Sequence, residues 1–283
     1  MAGESLWRGR VEARRKLMAW ARVAAVAVLA FFSVRVAVTS AGELAAQPEV
    51  WIESPRWVVD LPEDSTLTIS NPLGDVRGRS SGDDKLLVVG IIQRLAPDQD
   101  DGEVLISSSE GEVVVRTVYP SASELAQDGR PNGRIDLSVL VPAGRSMDVE
   151  TRHGLIEIKG IKRDLKVRTG SGRLRVTTGL ALTARTESGE LRVVLKNPTV
   201  AHPARLATET GELRIDLPNQ PEIAIQARTA GQLRLTGGPL AEVPIGREGG
   251  VSSAQSGKAP WMVDARSEAG LVEIRALPEH ELR

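Results

Sequence analysis

Residues 167–193, VRTGSGRLRVTTGLALTARTESGELRV, contain one ten-residue pattern twice. The pattern reads apolar-x-Thr, a short spacer, Gly, and then x-apolar-x-apolar. On either side, the same pattern is found at VETRHGLIEI (149–158), LATETGELRI (206–215), ARTAGQLRL (227–235) and ARSEAGLVEI (265–274). Self-similarity at a nearly constant period is typical of repeat architectures.

Glycine marks each repeat. Eight glycines are spaced by 17 to 22 residues except for one interval of 39, about two units long: Gly111, Gly133, Gly154, Gly172, Gly189, Gly211, Gly231 and Gly270. We predict that they are structural turn glycines, because a tight turn often needs φ > 0, which glycine adopts without a Cβ clash. Thr169, Thr186 and Thr208 each precede their glycine by three residues. Their hydroxyl groups are predicted to bond turn amides.

Apolar and polar residues alternate after each glycine, as in Leu174-Arg175-Val176. This period of two indicates strands, and no helical periodicity follows residue 45. An antiparallel meander of hairpins and a β-solenoid both fit the pattern. We favour the solenoid, with coils of about 17–22 residues, because parallel stacking about 4.8 Å apart rewards the same residue type at the same register.

The predicted organisation is one all-β domain behind one N-terminal helix. We expect a linker and cap over residues 39–58, the β-solenoid over 59–276 and a short tail over 277–283. Residues 236–260 are rich in Gly, Ser and Pro, which predicts a long loop that interrupts the stack.

The N-terminus has the pattern of a membrane-targeting segment. Residues 1–41 contain seven basic and two acidic residues, and 17–38 read LMAWARVAAVAVLAFFSVRVAV. This length predicts a transmembrane helix or signal anchor after a basic cytoplasmic segment, 1–16, if Arg22 and Arg35 reach the headgroups. The positive-inside rule then places the rest of a single-pass inner-membrane protein outside the cytoplasm. A cleaved signal peptide remains the alternative.

Composition argues against several chemistries. The absence of cysteine excludes thiolate metal sites and cysteine nucleophiles, and the three histidines lie far apart in sequence. A net charge of −1 and 3% aromatic residues do not favour nucleic-acid binding. We predict no catalytic residue, no cofactor and no metal.

Arginine stands between the inward residues of four repeats, at Arg175, Arg192, Arg214 and Arg234. A solvated outer face with interleaved glutamates explains this column without any function. The alternative is a binding face for an anionic polymer, because the guanidinium group presents a planar fork of donors.

Residues 135–176, IDLSVLVPAGRSMDVETRHGLIEIKGIKRDLKVRTGSGRLRV, resemble the bacterial "putative adhesin" repeat domain, a family of unknown function. That domain has a strand ending in Val-Pro, a turn of small residues and repeated Val-x-Thr-x-Ser-Gly-x-Val-x-Val coils. The resemblance covers about residues 60–275. It implies a β-helix-like fold that is exported or membrane-anchored, and it offers no catalytic motif.

Three functions follow from these observations as hypotheses. The first is a non-enzymatic, membrane-anchored scaffold of the cell envelope, whose partner is another envelope protein or a second copy. The second is an envelope-stress or regulatory accessory protein that contacts another membrane protein through residues 17–38. The third is an enzyme acting on polysaccharides, with carboxylates such as Glu157, Glu190 and Glu212 on adjacent coils.

Overall fold

The computed structural model of the chain describes residues 50–94, 102–119, 133–220, 222–258 and 260–282. The predicted all-β class is confirmed, since these ranges hold strands and two short 3-10 helices, at Gly238–Glu242 and Glu279–Glu281. The predicted helix over 17–38 lies outside the described residues. Within the described ranges, no helix has the length and apolarity needed to cross a bilayer.

Twenty-two strands lie in the described ranges. The first ten are β1 (Trp51–Glu53), β2 (Arg56–Asp60), β3 (Thr66–Ser70), β4 (Val76–Ser81), β5 (Lys85–Arg94), β6 (Glu103–Ser109), β7 (Glu112–Val118), β8 (Gly133–Pro142), β9 (Ser146–Thr151) and β10 (Ile156–Lys159). The others are β11 (Leu165–Thr169), β12 (Leu174–Thr178), β13 (Leu182–Thr186), β14 (Leu191–Leu195), β15 (Ala204–Thr208), β16 (Leu213–Pro218), β17 (Ile225–Thr229), β18 (Leu233–Thr236), β19 (Ile245–Glu248), β20 (Val251–Ser256), β21 (Val263–Ser267) and β22 (Val272–Leu277).

The strands form two mixed sheets of eleven strands each. The first sheet has the order β1-β5-β8-β4-β10-β12-β14-β16-β22-β18, with β2 also paired to β5. The second has the order β19-β20-β17-β21-β15-β13-β11-β9-β3-β7-β6. Each repeat places one strand in the second sheet, makes a turn and places its next strand in the first sheet.

Strands of neighbouring repeats run parallel and in register. Leu174 of β12 lies beside Ile156 on one side and Leu191 on the other. Backbone hydrogen bonds continue this ladder at the strand starts, where the N–H of Leu174 donates to the carbonyl of Glu190 at 2.8 Å. The antiparallel meander is therefore wrong for these repeats.

The order of repeats in the stack differs from the order in the chain at both ends. The β3/β4 unit lies between the β7/β8 and β9/β10 units, and the β21/β22 unit lies between β15/β16 and β17/β18. The 39-residue interval between Gly231 and Gly270 therefore does not mark a missing coil. The last repeat is inserted before its predecessor in the stack, and its strand β21 pairs with β15 on one side and β17 on the other.

Residues 236–260 are more ordered than the predicted long loop. They contain the first 3-10 helix, whose Leu240 is fully buried, and the antiparallel hairpin β19–β20. Strand β20 pairs with β17 and extends the second sheet. At the opposite end β1 and β2 pair with β5, and Trp57 packs against Gly90. The predicted cap thus includes strands.

Inward residues of both sheets form one hydrophobic core. Leu174, Leu191 and Leu213 of the first sheet are fully buried, as are Val167 and Ile225 of the second. Each such side chain contributes about 1.5–3 kcal/mol relative to exposure. The alternating residues of repeat strands such as β11, β13 and β15 face outward, so the chain has two repeating outer faces.

Candidate binding face

A column of closely stacked glycines fixes the register of the outer faces. A Cβ on Gly172 would lie 1.7 Å from the carbonyl oxygen of Gly154, and one on Gly189 would lie 1.6 Å from that of Gly172. The same close approach continues through Gly211, then Gly270, and then Gly231. Only glycine permits this contact, because real Cβ atoms do not approach backbone so closely.

The predicted reason for these glycines is wrong. The six column glycines from Gly154 to Gly270 have no positive φ. Glycine is required only because each lies so close to the backbone of the next repeat in the stack, which we call the next rung. Gly111 does have a φ of 80°, but it lies in the β6–β7 hairpin turn, away from the column. Gly133 begins β8 opposite Arg94 and is also outside it. The column instead continues at Gly74, since a Cβ on Gly154 would lie 2.2 Å from the carbonyl oxygen of Gly74.

A column of buried hydroxyl groups lies beside the glycines. The N–H of Gly172 donates to Oγ1 of Thr169 at 3.1 Å, and Gly189 and Gly211 make the same bond to Thr186 and Thr208. The prediction that these threonines bond turn amides is confirmed. Ser267 and Thr229 fill the column in the last two repeats of the stack.

These columns bring three of the four predicted arginines together. Arg175, Arg192 and Arg214 are direct neighbours on β12, β14 and β16. Arg234 is not next in line, because Glu273 of the inserted β22 lies between Arg214 and Arg234. We call the outer surface of β12, β14, β16, β22 and β18 the arginine face.

Acidic side chains neutralise much of the arginine face. Arg192 lies 3.7 Å from the buried carboxylate of Asp216, and Arg275 lies 2.7 Å from the same group. The hydrogen bond with Asp216 raises the pKa of Arg275. Arg214 lies 2.8 Å from Glu212, whose hydrogen bond raises the pKa of Arg214.

The carboxylates considered for polysaccharide chemistry are held in ion pairs. Glu190 lies 3.0 Å from Arg173, and Glu212 pairs with Arg214. Glu157 pairs with Lys159, and that hydrogen bond lowers the pKa of Glu157. In the described ranges, no three His, Asp or Glu side chains are grouped as metal ligands.

The outer surface of the second sheet carries a further set of basic residues, which the arginine column of the sequence did not include. The first half of the repeat, apolar-x-apolar-x-Thr, also has two outward positions per strand. These positions hold six exposed basic residues on neighbouring strands, which we call the basic strip: Lys166, Arg168, Arg185, Arg205, Arg266 and Arg228. The signal was present in the sequence, but only the stack order shows that Arg266 and Arg228 are neighbours.

No protein-family model matches the chain, and no curated protein matches its sequence. Solved structures do resemble it. One is a "putative cell adhesion protein" from Clostridium sporogenes, with 12% identity, a TM-score of 0.44, and coverage of 80% of this chain and all of that one. Another is a "putative adhesin" from Bacteroides fragilis, with 13% identity, a TM-score of 0.33, and coverage of 81% of this chain and 99% of that one. The expected resemblance to proteins described as adhesins is thus found, and we derive no activity from it.

Proposed function

We propose that this chain is a non-enzymatic, adhesin-like interaction module of the cell envelope, built as a β-solenoid and anchored in the inner membrane. The observation that carries the proposal is the in-register stack itself. It presents two faces on which outward side chains recur at about 4.8 Å, the spacing of neighbouring strands. Such a surface can contact a long partner at many points.

The solenoid interpretation is supported by alternation between the sheets. Successive strands β9 to β16 lie alternately in the second and the first sheet, and each strand from β9 to β14 pairs in parallel with the strand two places on. A chain that winds in this way buries the inward side of every strand against the other sheet. It leaves turns and outer faces free for partners, as in other repeat proteins.

The anchor is proposed from sequence alone. The basic segment 1–16 and the apolar stretch 17–38 fit a helix with its start in the cytoplasm. Residues 50–282 would then lie outside the cytoplasm, where the absence of cysteine removes any thiol that oxidants could attack. The proposed partner is another envelope protein or a second copy of the chain.

The test uses the full chain expressed in a bacterium with an envelope. We expect it to resist carbonate extraction from membranes and to be cleaved by protease added outside the inner membrane. Spheroplasts that carry it should adhere to one another or to an envelope fraction more than spheroplasts that carry an unrelated domain on the same residues 1–49.

Two results would count against the proposal. Release of the chain into the soluble fraction would contradict the proposed membrane anchor. Adhesion that disappears when residues 17–38 are replaced by an unrelated transmembrane helix would favour the accessory-protein hypothesis, in which the helix itself makes the contact.

A further inference from the structure

The outer surface of the second sheet is unusually basic over five consecutive strands. Strands β11, β13, β15, β21 and β17 have two outward positions each, and six of these ten hold the basic strip. The other four are Thr183, Ala207, Asp264 and Gln226. Since the whole chain has a net charge of −1, this concentration is a local property of one face.

Positive charges on the basic strip lie directly beside each other. Arg168 is the register partner of Arg185, and Arg266 is the partner of Arg228. Like charges directly opposite on neighbouring strands destabilise a sheet. The fold therefore tolerates an unfavourable arrangement here, and a bound anion would relieve it.

Acidic groups compensate the strip only in part. Arg185 lies 2.9 Å from Glu209, and Arg266 lies 2.7 Å from Asp264. Arg168 lies 3.5 Å from the nearest carboxylate, that of Glu150.

Three of the six basic side chains form no ion pair with a described residue, although Asp148 is the register partner of Lys166 and Asp264 that of Arg205. In the part of the chain that the structure describes, Lys166, Arg205 and Arg228 have no carboxylate within ion-pair distance. On the arginine face, Arg175 and Arg234 likewise form no ion pair among the described residues. Two outward carboxylates, Asp216 and Glu273, nevertheless lie among the arginines, and Asp216 serves Arg192 and Arg275 together. The strip has one, Asp264. The second sheet therefore has more uncompensated positive charge.

The shape of the strip matches a linear ligand. Five parallel strands spaced by about 4.8 Å place its charges along roughly 19 Å of the stack axis. Guanidinium groups bind phosphate and sulfate oxygens through two parallel hydrogen bonds. No aromatic residue occupies any of the ten outward positions, so the face offers no stacking platform for bases.

We propose that the basic strip binds a linear polymer that carries phosphate or sulfate groups. This inference deepens the proposed function by naming the ligand class of one face. The polymer lies along the stack axis, and its anionic groups contact Lys166, Arg168, Arg185, Arg205, Arg266 and Arg228 in turn.

The experiment measures binding of the purified full chain, in detergent, to linear polyphosphate and to dextran sulfate at several salt concentrations. Neutral dextran and polyglutamate are the controls. We expect binding to at least one of the first two polymers, with log K falling linearly against log salt, and much weaker binding to both controls. A triple variant, Arg168→Gln, Arg185→Gln and Arg228→Gln, should lose at least tenfold in affinity and show a shallower salt slope.

The matched control is the triple variant Arg175→Gln, Arg192→Gln and Arg214→Gln on the arginine face, which removes the same number of charges. We expect it to bind almost as the unchanged chain does. Failure of the unchanged chain to bind either polymer, equal loss in both variants, or equally tight binding of polyglutamate would overturn the proposal. If the unchanged chain binds neither polymer but still adheres and remains anchored, this inference fails while the proposed function stands.

Discussion

The two ends of the stack use the same unusual connection but different residues. At each end, one repeat lies between two others that it does not separate in the chain. The β3/β4 repeat lies between β7/β8 and β9/β10, and the β21/β22 repeat lies between β15/β16 and β17/β18. The C-terminal insertion keeps the repeat pattern, with Ser267 in the hydroxyl column and Gly270 in the glycine column. The N-terminal insertion has Asn71 in place of the threonine, and its Gly74 lies against the carbonyl of Ile135, a residue that is not glycine.

The N-terminal end is joined by side chains. Asn71 is fully buried, and its amide nitrogen donates to the carbonyl of Ile135 at 2.9 Å. Its amide oxygen accepts bonds from Thr117 at 2.7 Å and from Tyr119 at 3.1 Å. Arg134 adds a second connection, since it pairs with Asp136 and with the carboxylate of Asp75.

The connection between strands explains the difference. At the C-terminal end, β21 and β22 are joined by a four-residue turn, like other repeats. At the N-terminal end, fourteen residues separate Val118 of β7 from Gly133 of β8, and the backbone beside Gly74 is that of Ile135, within β8 itself. The inserted repeat at the C-terminal end therefore keeps the pattern and stacks on the four-residue turns of its neighbours. The inserted repeat at the N-terminal end lies against β8 and is joined to it by a polar network.

The largest effect is expected for Gly270→Ala. The added Cβ would lie 1.8 Å from the carbonyl oxygen of Gly211, between two rungs that cannot both move. We expect a loss of about 3 kcal/mol or more in the free energy of unfolding, measured with urea. Gly249→Ala is the control, because φ there is 57° with no atom near the new Cβ, and it should cost only about 1–2 kcal/mol. Equal losses would contradict the steric account.

Asn71→Ala tests the opposite end. It removes the buried acceptor of the Thr117 hydroxyl, the shorter of the two bonds to the Ile135 carbonyl and one of the bonds of the Tyr119 hydroxyl. We expect a loss of about 2–3 kcal/mol in urea unfolding. The exposed Asn197, changed to Ala, should alter stability by less than about 0.5 kcal/mol. If Asn71→Ala costs as little as Asn197→Ala, the network does not stabilise this end of the stack.

Ser267→Ala removes a single bond of the hydroxyl column. The hydroxyl group accepts the N–H of Gly270 at 2.8 Å, and the residue is buried. We expect a loss of about 1 kcal/mol, smaller than at Asn71 because one side-chain bond is lost instead of four. The matched change at the exposed Ser188 should have almost no effect. Equal values for the two serines would argue against a structural hydroxyl column.

The smallest expected change in stability comes from the ionisation of Tyr119 at alkaline pH. Burial raises the pKa of Tyr119 above its usual value of 10.0, so the folded state holds this proton more tightly than the unfolded state. The resulting stability is fully present below pH 10 and is lost as the pH rises through the folded-state pKa. Because Tyr119 is the sole tyrosine, tyrosinate absorbance reports this group alone. In Tyr119→Phe that alkaline loss should vanish, and a midpoint at 10.0 or below in the folded chain would refute the prediction.

Much of the fold could be predicted from the repeat. The period of two indicated strands, and the constant residue types in each repeat favoured parallel stacking over a meander. The turn bonds of Thr169, Thr186 and Thr208 also followed from their spacing to glycine. The reason for the glycines did not follow from the sequence. A Cβ on Gly189 would lie 1.6 Å from the carbonyl oxygen of Gly172, and this clash depends on the neighbouring repeat and not on the local backbone.

The candidate faces were less predictable. Arg175, Arg192 and Arg214 could be aligned from the sequence, but the separation of Arg234 by Glu273 could not. The neighbours Arg266 and Arg228 of the basic strip were hidden for the same reason, because they come from repeats that exchange places in the stack.

Local pattern was enough to establish strands, inward and outward positions and turn chemistry, because those depend on neighbours a few residues away. The order of the repeats belongs to the tertiary structure. Every rung offers nearly the same backbone hydrogen bonds to a rung above or below, so the repeated motif does not distinguish one neighbour from another. Only the complete packing of both ends selects which rung lies beside which, and with it which charges share a face.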